Sequence, residues 1–276
     1  MKEKKVKKFV DIENILHSKS PKLYKWLPSF LVNYLKRVTH EDDTNFIFTK
    51  LENDYDSEFC IKMLKHFNMP YSVSGLENIP KEGSVVLVAN HPLGGLDAMA
   101  VMATLSSQRN DIKIIVNDIL MNVKNMSGVF VGVNKHGKTS KDAFKKINEL
   151  FASDQATFVF PAGMVSRRKK GVIKDLEWKR TFIFKAREHN SPIIPIHIDG
   201  ELSNFFYKLS NIREGLGIKA NIEMLYLIDE QFKLENKSIH LTVGKPILPT
   251  ELDSTKTDHE LAQWMQDQVY NLTKQQ

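Results

Sequence analysis

From residue 71 onward, short apolar runs rich in β-branched and aromatic residues alternate with stretches of helical periodicity. SVVLVAN (84–90), DIKIIV (111–116), GVFVGV (128–133), ATFVF (156–160), PIIPIHI (192–198), IEMLYLI (222–228) and IHLTVG (239–244) read as strands. LDAMAVMATL (96–105), KDAFKKINELF (141–151) and WKRTFIFKARE (178–188) read as the helices between them. Such alternation predicts an α/β domain, a mostly parallel buried sheet flanked by helices, over residues 71–276. The tail from Asp258 to Leu272 places Leu261, Trp264, Met265, Val269 and Leu272 on one helical face and reads as a packing helix.

Residues 1–70 are expected to form a separate helical segment. Leu27, Leu31, Tyr34, Leu35 and Val38 recur at helical spacing, with Lys25, Lys36 and Arg37 off that stripe and Pro28 setting a helix start or a kink. Cations combined with Trp26, Phe30 and Tyr34 make this amphipathic segment suited to a membrane interface, and residues 1–70 are read as membrane-associating. Cys60 falls on an apolar stripe with Met63, Leu64 and Phe67, which predicts packing rather than a nucleophilic role.

With 276 residues, 42% of them hydrophobic and 26% charged, the chain is long enough for a sizeable core, which excludes disordered and fibrous classes. One cysteine excludes a disulfide framework and a Cys/His zinc site. No uncharged apolar run approaches the ~20 residues that cross a bilayer, and the basic start lacks an apolar segment of signal-peptide type. The net charge of +6 is concentrated at Lys2 to Lys8 and at Arg167 to Lys170, patches that seek an anionic partner.

Ligands of parallel sheets gather beyond the carboxyl ends of the strands, so the loops NHPLGG (90–95), VNKHGKT (133–139) and PAGMVSRR (161–168) become candidates. Gly132 to Thr139 fits G-x-x-x-x-G-K-[ST], the phosphate-cradling P-loop of nucleotide hydrolases. Val133, Lys135 and His136 crowd the positions where main-chain N–H groups must curl around phosphate, and Pro195 interrupts the apolar run before Asp199, the candidate metal-binding aspartate. A solvated loop is the simpler reading. His197 reads as a strand residue alternating with core positions. His136, His189 and His240 show no ligand spacing, so no metal site is expected. Nor is a nucleic-acid partner expected.

Asn90-His91 after a strand, Asp97 at the next helix, FPAGMVSRR at 160–168 and SPIIPIHIDG at 191–200 resemble, in order and spacing, the four blocks of the glycerolipid acyltransferase family, which includes the lysophosphatidic acid acyltransferases. The resemblance covers roughly residues 71–250. Two departures stand out. The usual first box is N-H-x-x-x-x-D, whereas HPLGGLD has one more residue between His91 and Asp97, which the Gly94-Gly95 pair can absorb. The third box is usually F-P-E-G-T-R-S; here Ala162, Met164 and Val165 replace the glutamate, threonine and arginine. Both features resemble the bacterial hemolysin-like branch, with its O-acyltransferases of ornithine- and glycine-type aminolipids.

The resemblance implies transfer of a fatty acyl group to a lysolipid hydroxyl from an acyl-carrier-protein or coenzyme A thioester, with no further cofactor. His91 is then the general base and Asp97 its orienting partner. Asn90, Gly163, Ser166, Arg167, Arg168 and Lys179 become the candidate substrate-binding residues, and main-chain N–H groups near Gly163 or Gly94 the candidate oxyanion donors. The implied location is the cytoplasmic face of a bacterial inner membrane, held peripherally. The altered third box keeps a catalytically inactive lipid-binding relative in view.

Overall fold

The computed structural model describes residues 8–19, 21–133 and 141–274. In chain order its helices and strands are α1 (Ile12–Lys19), α2 (Pro21–Trp26), α3 (Ser29–Val38), α4 (Glu41–Lys50), α5 (Asp56–His66), β1 (Tyr71–Ser74), β2 (Val85–Ala89), α6 (Gly95–Leu105), β3 (Lys113–Asn117) and β4 (Phe130–Val133). There follow α7 (Lys141–Phe151), β5 (Ala156–Val159), β6 (Arg167–Lys169), β7 (Val172–Lys174), α8 (Thr181–His189), β8 (Ile193–Ile198), α9 (Asn204–Gly215), α10 (Leu227–Phe232), β9 (Ile239–Val243) and α11 (Asp258–Asn271). The P-loop look-alike beyond Val133 and most of the amino-terminal lysine run lie outside the described residues.

Two compact units emerge, Asp54–Leu202 with Leu234–Gln276, and Met1–Asn53 with Ser203–Lys233. The larger unit is built on a seven-stranded sheet in the order β1-β9-β8-β2-β5-β3-β4. Its pairings are parallel except for β8 with β9. β2 sits in the middle and is buried along its whole length, which is why Val85–Ala89 is an unbroken aliphatic run rather than an alternating one. Each such side chain contributes about 1.5–3 kcal/mol by leaving water. From β2 the chain turns to β3 and β4 on one side, then crosses from β5 to β8 on the other. That reversal opens a crevice at the carboxyl ends of β8, β2 and β5.

α5 packs on α6 in this unit, so residues 54–70 group with the sheet rather than with the amino-terminal helices. Phe59, Cys60, Met63 and Leu64 form its buried face, and the Cys60 thiol meets Met126 Sδ at 3.4 Å. α8 and α11 cover the sheet through Phe182, Ile183, Leu261, Met265 and Val269, joined by Trp178 from the loop before α8. α11 starts on a capping box between Thr257 and Glu260.

Three local expectations are corrected. IEMLYLI is not a strand: it forms a 3₁₀ turn over Ile222–Tyr226 and then α10. A short apolar run cannot by itself distinguish strand from helix, and here buried Glu223 is claimed by Arg213, at 2.9 Å, which holds the segment away from a sheet. Pro195 does not interrupt its strand. β8 runs through it, the proline carbonyl accepting the Gly244 N–H at 2.8 Å, because proline lacks a donor but not an acceptor. Arg167 and Arg168, expected as the end of the 161–168 loop, belong to β6, which pairs with β7 as an antiparallel hairpin.

In the smaller unit, α3 begins after Pro28, whose φ of −61° and extended ψ place it as the N-cap. Tyr34 of α3 meets Tyr226, hydroxyl to hydroxyl at 2.7 Å. His40 stacks on Phe232 of α10 at 4.0 Å and reaches Asp229 at 3.1 Å. Buried Glu41 accepts from Lys8 Nζ and from the Ile12 N–H, fixing the approach to α1. No helix among the described residues is long and apolar enough to cross a membrane.

Candidate active site

His91 follows directly after β2 and Asn90, at the crevice. Its Nδ1 lies 2.8 Å from Asp97 Oδ2, and the same oxygen accepts the Leu93 N–H at 2.9 Å. The extra residue of HPLGGLD is taken up at Gly94, whose φ of 72° and ψ of −126° turn the chain into α6 and bring Asp97, in the first turn of that helix, back under the imidazole. Phe160, at the end of β5, stacks on the imidazole at 4.2 Å and 24°. Adjacent strands therefore supply the two rings. With Nδ1 donating to the Asp97 carboxylate, the neutral imidazole presents its lone pair on Nε2.

Asp97 is wholly buried, and its Oδ1 lacks a hydrogen-bond partner among the described residues. Burial pushes the carboxyl above its ordinary range, against the hydrogen bond and charge of His91 and the Leu93 N–H.

The backbone of His91 is fixed by a residue that sequence reasoning did not single out. Asp175 Oδ1 accepts the His91 N–H at 3.1 Å and the Ser166 hydroxyl at 2.6 Å, while Oδ2 accepts the Trp178 indole N–H at 2.9 Å. The Ser166 N–H donates in turn to the His91 carbonyl at 2.8 Å, and the Asp175 N–H to the Tyr270 hydroxyl at 2.8 Å. Burial pushes the Asp175 carboxyl up as well, opposed by Ser166 and Trp178. The spacing of Asp175 and Trp178 in KDLEW was the available signal, but the donor that ties this carboxylate to the site, the His91 N–H, lies 84 residues away in the chain.

The other expected site residues divide. Asn90 is buried and its amide is engaged at both ends with the main chain of Ile198, at 2.9 and 2.7 Å, tying the tips of β2 and β8 together. Ser166 is buried in the Asp175 network. Arg167 is 1% exposed, and its Nη1 donates to the Val165 carbonyl at 2.6 Å. Arg168 is more accessible and lies 3.4 Å from Glu201. Lys179 is exposed, and its ammonium sits over Gly163, where an added Cβ would meet Nζ at 3.4 Å. The Gly163 N–H donates to the Phe160 carbonyl at 2.9 Å within its own turn, so that amide is already engaged.

The fourth block closes the crevice from β8. Gly200 has a φ of 135°, and a Cβ there would come within 2.7 Å of Leu93 Cδ2. Leu93 is buried, with its side chain on Gly200 and its N–H on Asp97. His197 Nδ1 lies 3.0 Å from Asp199 Oδ1, and its ring meets the Tyr270 ring edge-on at 5.7 Å.

The family described as "Acyltransferase" matches residues 14–275. The chain is 42% identical over 264 residues to a lyso-glycine lipid O-acyltransferase of Bacteroides thetaiotaomicron, covering 95% of this chain and 97% of that protein. A protein of the same name from Phocaeicola vulgatus is also 42% identical over 264 residues, with 95% of each chain covered. Among solved structures, the 1-acyl-sn-glycerophosphate (LPA) acyltransferase PlsC from Thermotoga maritima is similar at 18% identity and a TM-score of 0.46, over 87% of this chain and 94% of that one.

Proposed function

The chain belongs to the acyltransferase family, and from that premise we propose that it esterifies the hydroxyl of a lyso-aminolipid, lyso-glycine lipid first among them, with a fatty acyl group from an acyl-carrier-protein or coenzyme A thioester. The observation that carries the proposal is the His91–Asp97 pair at the mouth of the central crevice. His91 Nε2 takes the proton from the acceptor hydroxyl as its oxygen attacks the thioester carbonyl. Asp97 holds the ring by Nδ1–H and stabilises the imidazolium that results. Collapse of the tetrahedral intermediate breaks the carbon–sulfur bond, and the leaving thiolate recovers the proton from His91. No acyl-enzyme is formed.

For the developing oxyanion we assign main-chain N–H groups at the start of α6, beside His91, since the Gly163 amide is engaged in its own turn. Arg168 and Lys179 present accessible positive charge to the carboxylate of the acceptor or the phosphates of the donor. Arg167 contributes a buried, desolvated guanidinium to the same block. Residues 1–70 associate with the membrane, with Trp26 and Phe30 exposed for the purpose, and hold the enzyme peripherally on the cytoplasmic face of the inner membrane.

Purified protein offered lyso-glycine lipid, lyso-ornithine lipid and lysophosphatidic acid with either thioester tests the reading. Mass spectrometry is expected to find the diacyl glycine lipid formed fastest. Transfer to lysophosphatidic acid alone would reassign the acceptor, and no transfer to any lysolipid would sink the proposal.

A further inference from the structure

The smaller unit holds under a third of the chain, yet it carries eleven of the twenty bulky apolar side chains that stand exposed among the described residues. Five of them, Phe205, Ile212, Leu216, Ile218 and Leu225, come from residues 204–225, far in sequence from the amino-terminal helices. α9 shows that their exposure is patterned. Its buried stripe is Phe206, Tyr207, Ser210 and Arg213. The face turned to solvent, where an amphipathic helix places polar residues, carries Phe205, Lys208 and Ile212, with Leu216 continuing the stripe. Ile212 is 60% exposed and Leu216 70%.

The chain beyond α9 is braced rather than loose. Arg213 Nε lies 2.9 Å from Glu223 Oε2, both residues being buried, and Arg213 Nη1 donates to the Ile218 carbonyl at 2.9 Å. The Ile218 N–H returns to the Arg213 carbonyl at 3.0 Å. These bonds close 213–223 around the guanidinium and leave Leu216, Ile218 and Lys219 outside it, all exposed. A turn held this way cannot relieve its apolar exposure by folding inward.

The stripe is continuous with α3. Phe205, itself exposed, meets the Tyr226 ring edge-on at 5.0 Å, and Tyr226 touches Tyr34. One helical turn before Tyr34 stands Phe30, 72% exposed. Isolated surface apolar residues are ordinary, but a contiguous set interleaved with lysines fits a lipid interface, in which apolar side chains enter the acyl boundary and cations meet phosphate.

We propose that residues 204–225 form a second membrane-docking element, seating Ile212, Leu216 and Ile218 in an anionic bilayer with Lys208 and Lys219 at its head groups. This deepens the reading of the protein as an enzyme that works on lipid at a membrane, and its test reads binding without turnover. Sedimentation with phosphatidylcholine vesicles containing a minority of phosphatidylglycerol is compared for the full chain, for Ile212→Ser/Leu216→Ser/Ile218→Ser and for Trp26→Ser/Phe30→Ser. These three side chains are exposed, so the triple variant is expected to melt with the parent while its partition coefficient falls at least about tenfold, the loss of several inserted apolar side chains. Lys208→Glu/Lys219→Glu is expected to weaken binding at low salt and to match the parent at high salt.

Unchanged vesicle binding by the folded triple variant overturns the proposal. So does a dimer in sedimentation velocity that the triple variant dissociates while vesicle binding persists, since the face then belongs to a second copy of the chain. Reduced vesicle binding in a protein that acylates no lysolipid would leave the docking element standing and remove the proposed reaction.

Discussion

His91 Nδ1 and the Leu93 N–H converge on one oxygen of Asp97, Oδ2, so the carboxylate that orients the imidazole also shapes the loop that carries it. His91→Ala is expected to leave the fold intact and reduce acyl transfer by at least about 10²-fold, the lower range for a general base. Asp97→Asn is expected to come close to that loss, because an amide in place of Oδ2 disturbs both the tautomer and the Leu93 contact. Circular dichroism and single-turnover transfer measure the two effects. A folded His91→Ala protein with parental turnover would falsify the assignment.

Asp175 holds three donors from three parts of the chain, and its removal strands them in a buried setting. At about 1–3 kcal/mol for each buried donor left unmade, Asp175→Ala is expected to lower the melting temperature by several degrees and kcat along with it, with little change in acceptor KM. Asp175→Asn keeps one acceptor and is expected to fall between. An Asp175→Ala protein with parental melting and kcat would show that the network positions nothing.

Arg167 is buried one residue from Ser166, and its charge is expected to be felt by the acceptor. Arg167→Ala should raise the apparent KM for the lysolipid well above any change for the thioester. Steady-state titration of each substrate separates them. An equal rise for both, or a fall in melting temperature with both KM values unchanged, would restrict Arg167 to bracing the β6–β7 hairpin.

Burial holds the His197 imidazole below its ordinary value of 6.5, with Asp199 opposing the shift. The folded protein therefore binds fewer protons here than the unfolded chain does. This contribution is complete above pH 6.5 and declines as the pH falls through that value toward the folded one. Denaturant unfolding at about pH 7.5 and about pH 5.5 is expected to show His197→Gln losing less stability than the parent across the interval. An identical loss in both proteins would refute it.

The Cys60 thiol is pushed up to about 12 by burial, with the Asp56 charge adding to the effect. It is expected to resist alkylation at neutral pH in the folded protein and to react once the chain is unfolded. A rate of labelling in native buffer equal to that in denaturant would contradict this.

The central strands were legible because a buried parallel sheet writes itself as unbroken aliphatic runs, and Val85–Ala89 is the plainest of them. β1 was not, since YSVS is short and half polar, and it owes its place to pairing with β9. The His91 and Asp97 positions could be picked out because they lie six residues apart, across one strand-to-helix turn, within a recognisable family block. Asp175 could not, because what defines it is the convergence of residues 91, 166 and 178, a property of the folded chain alone. Asn90 was placed at the right strand end, but its engagement with Ile198 needed the neighbouring strand to be known.

The contact between Leu93 and Gly200 closes position 200 twice over. The buried leucine occupies the space a side chain there would need, and the backbone φ of 135° is one that only glycine adopts without strain. Shortening the 92–96 loop would therefore clear the space without freeing the position. A side chain placed at 200 displaces Leu93, and through its N–H the carboxylate of Asp97, so a residue outside the first block governs the pair inside it.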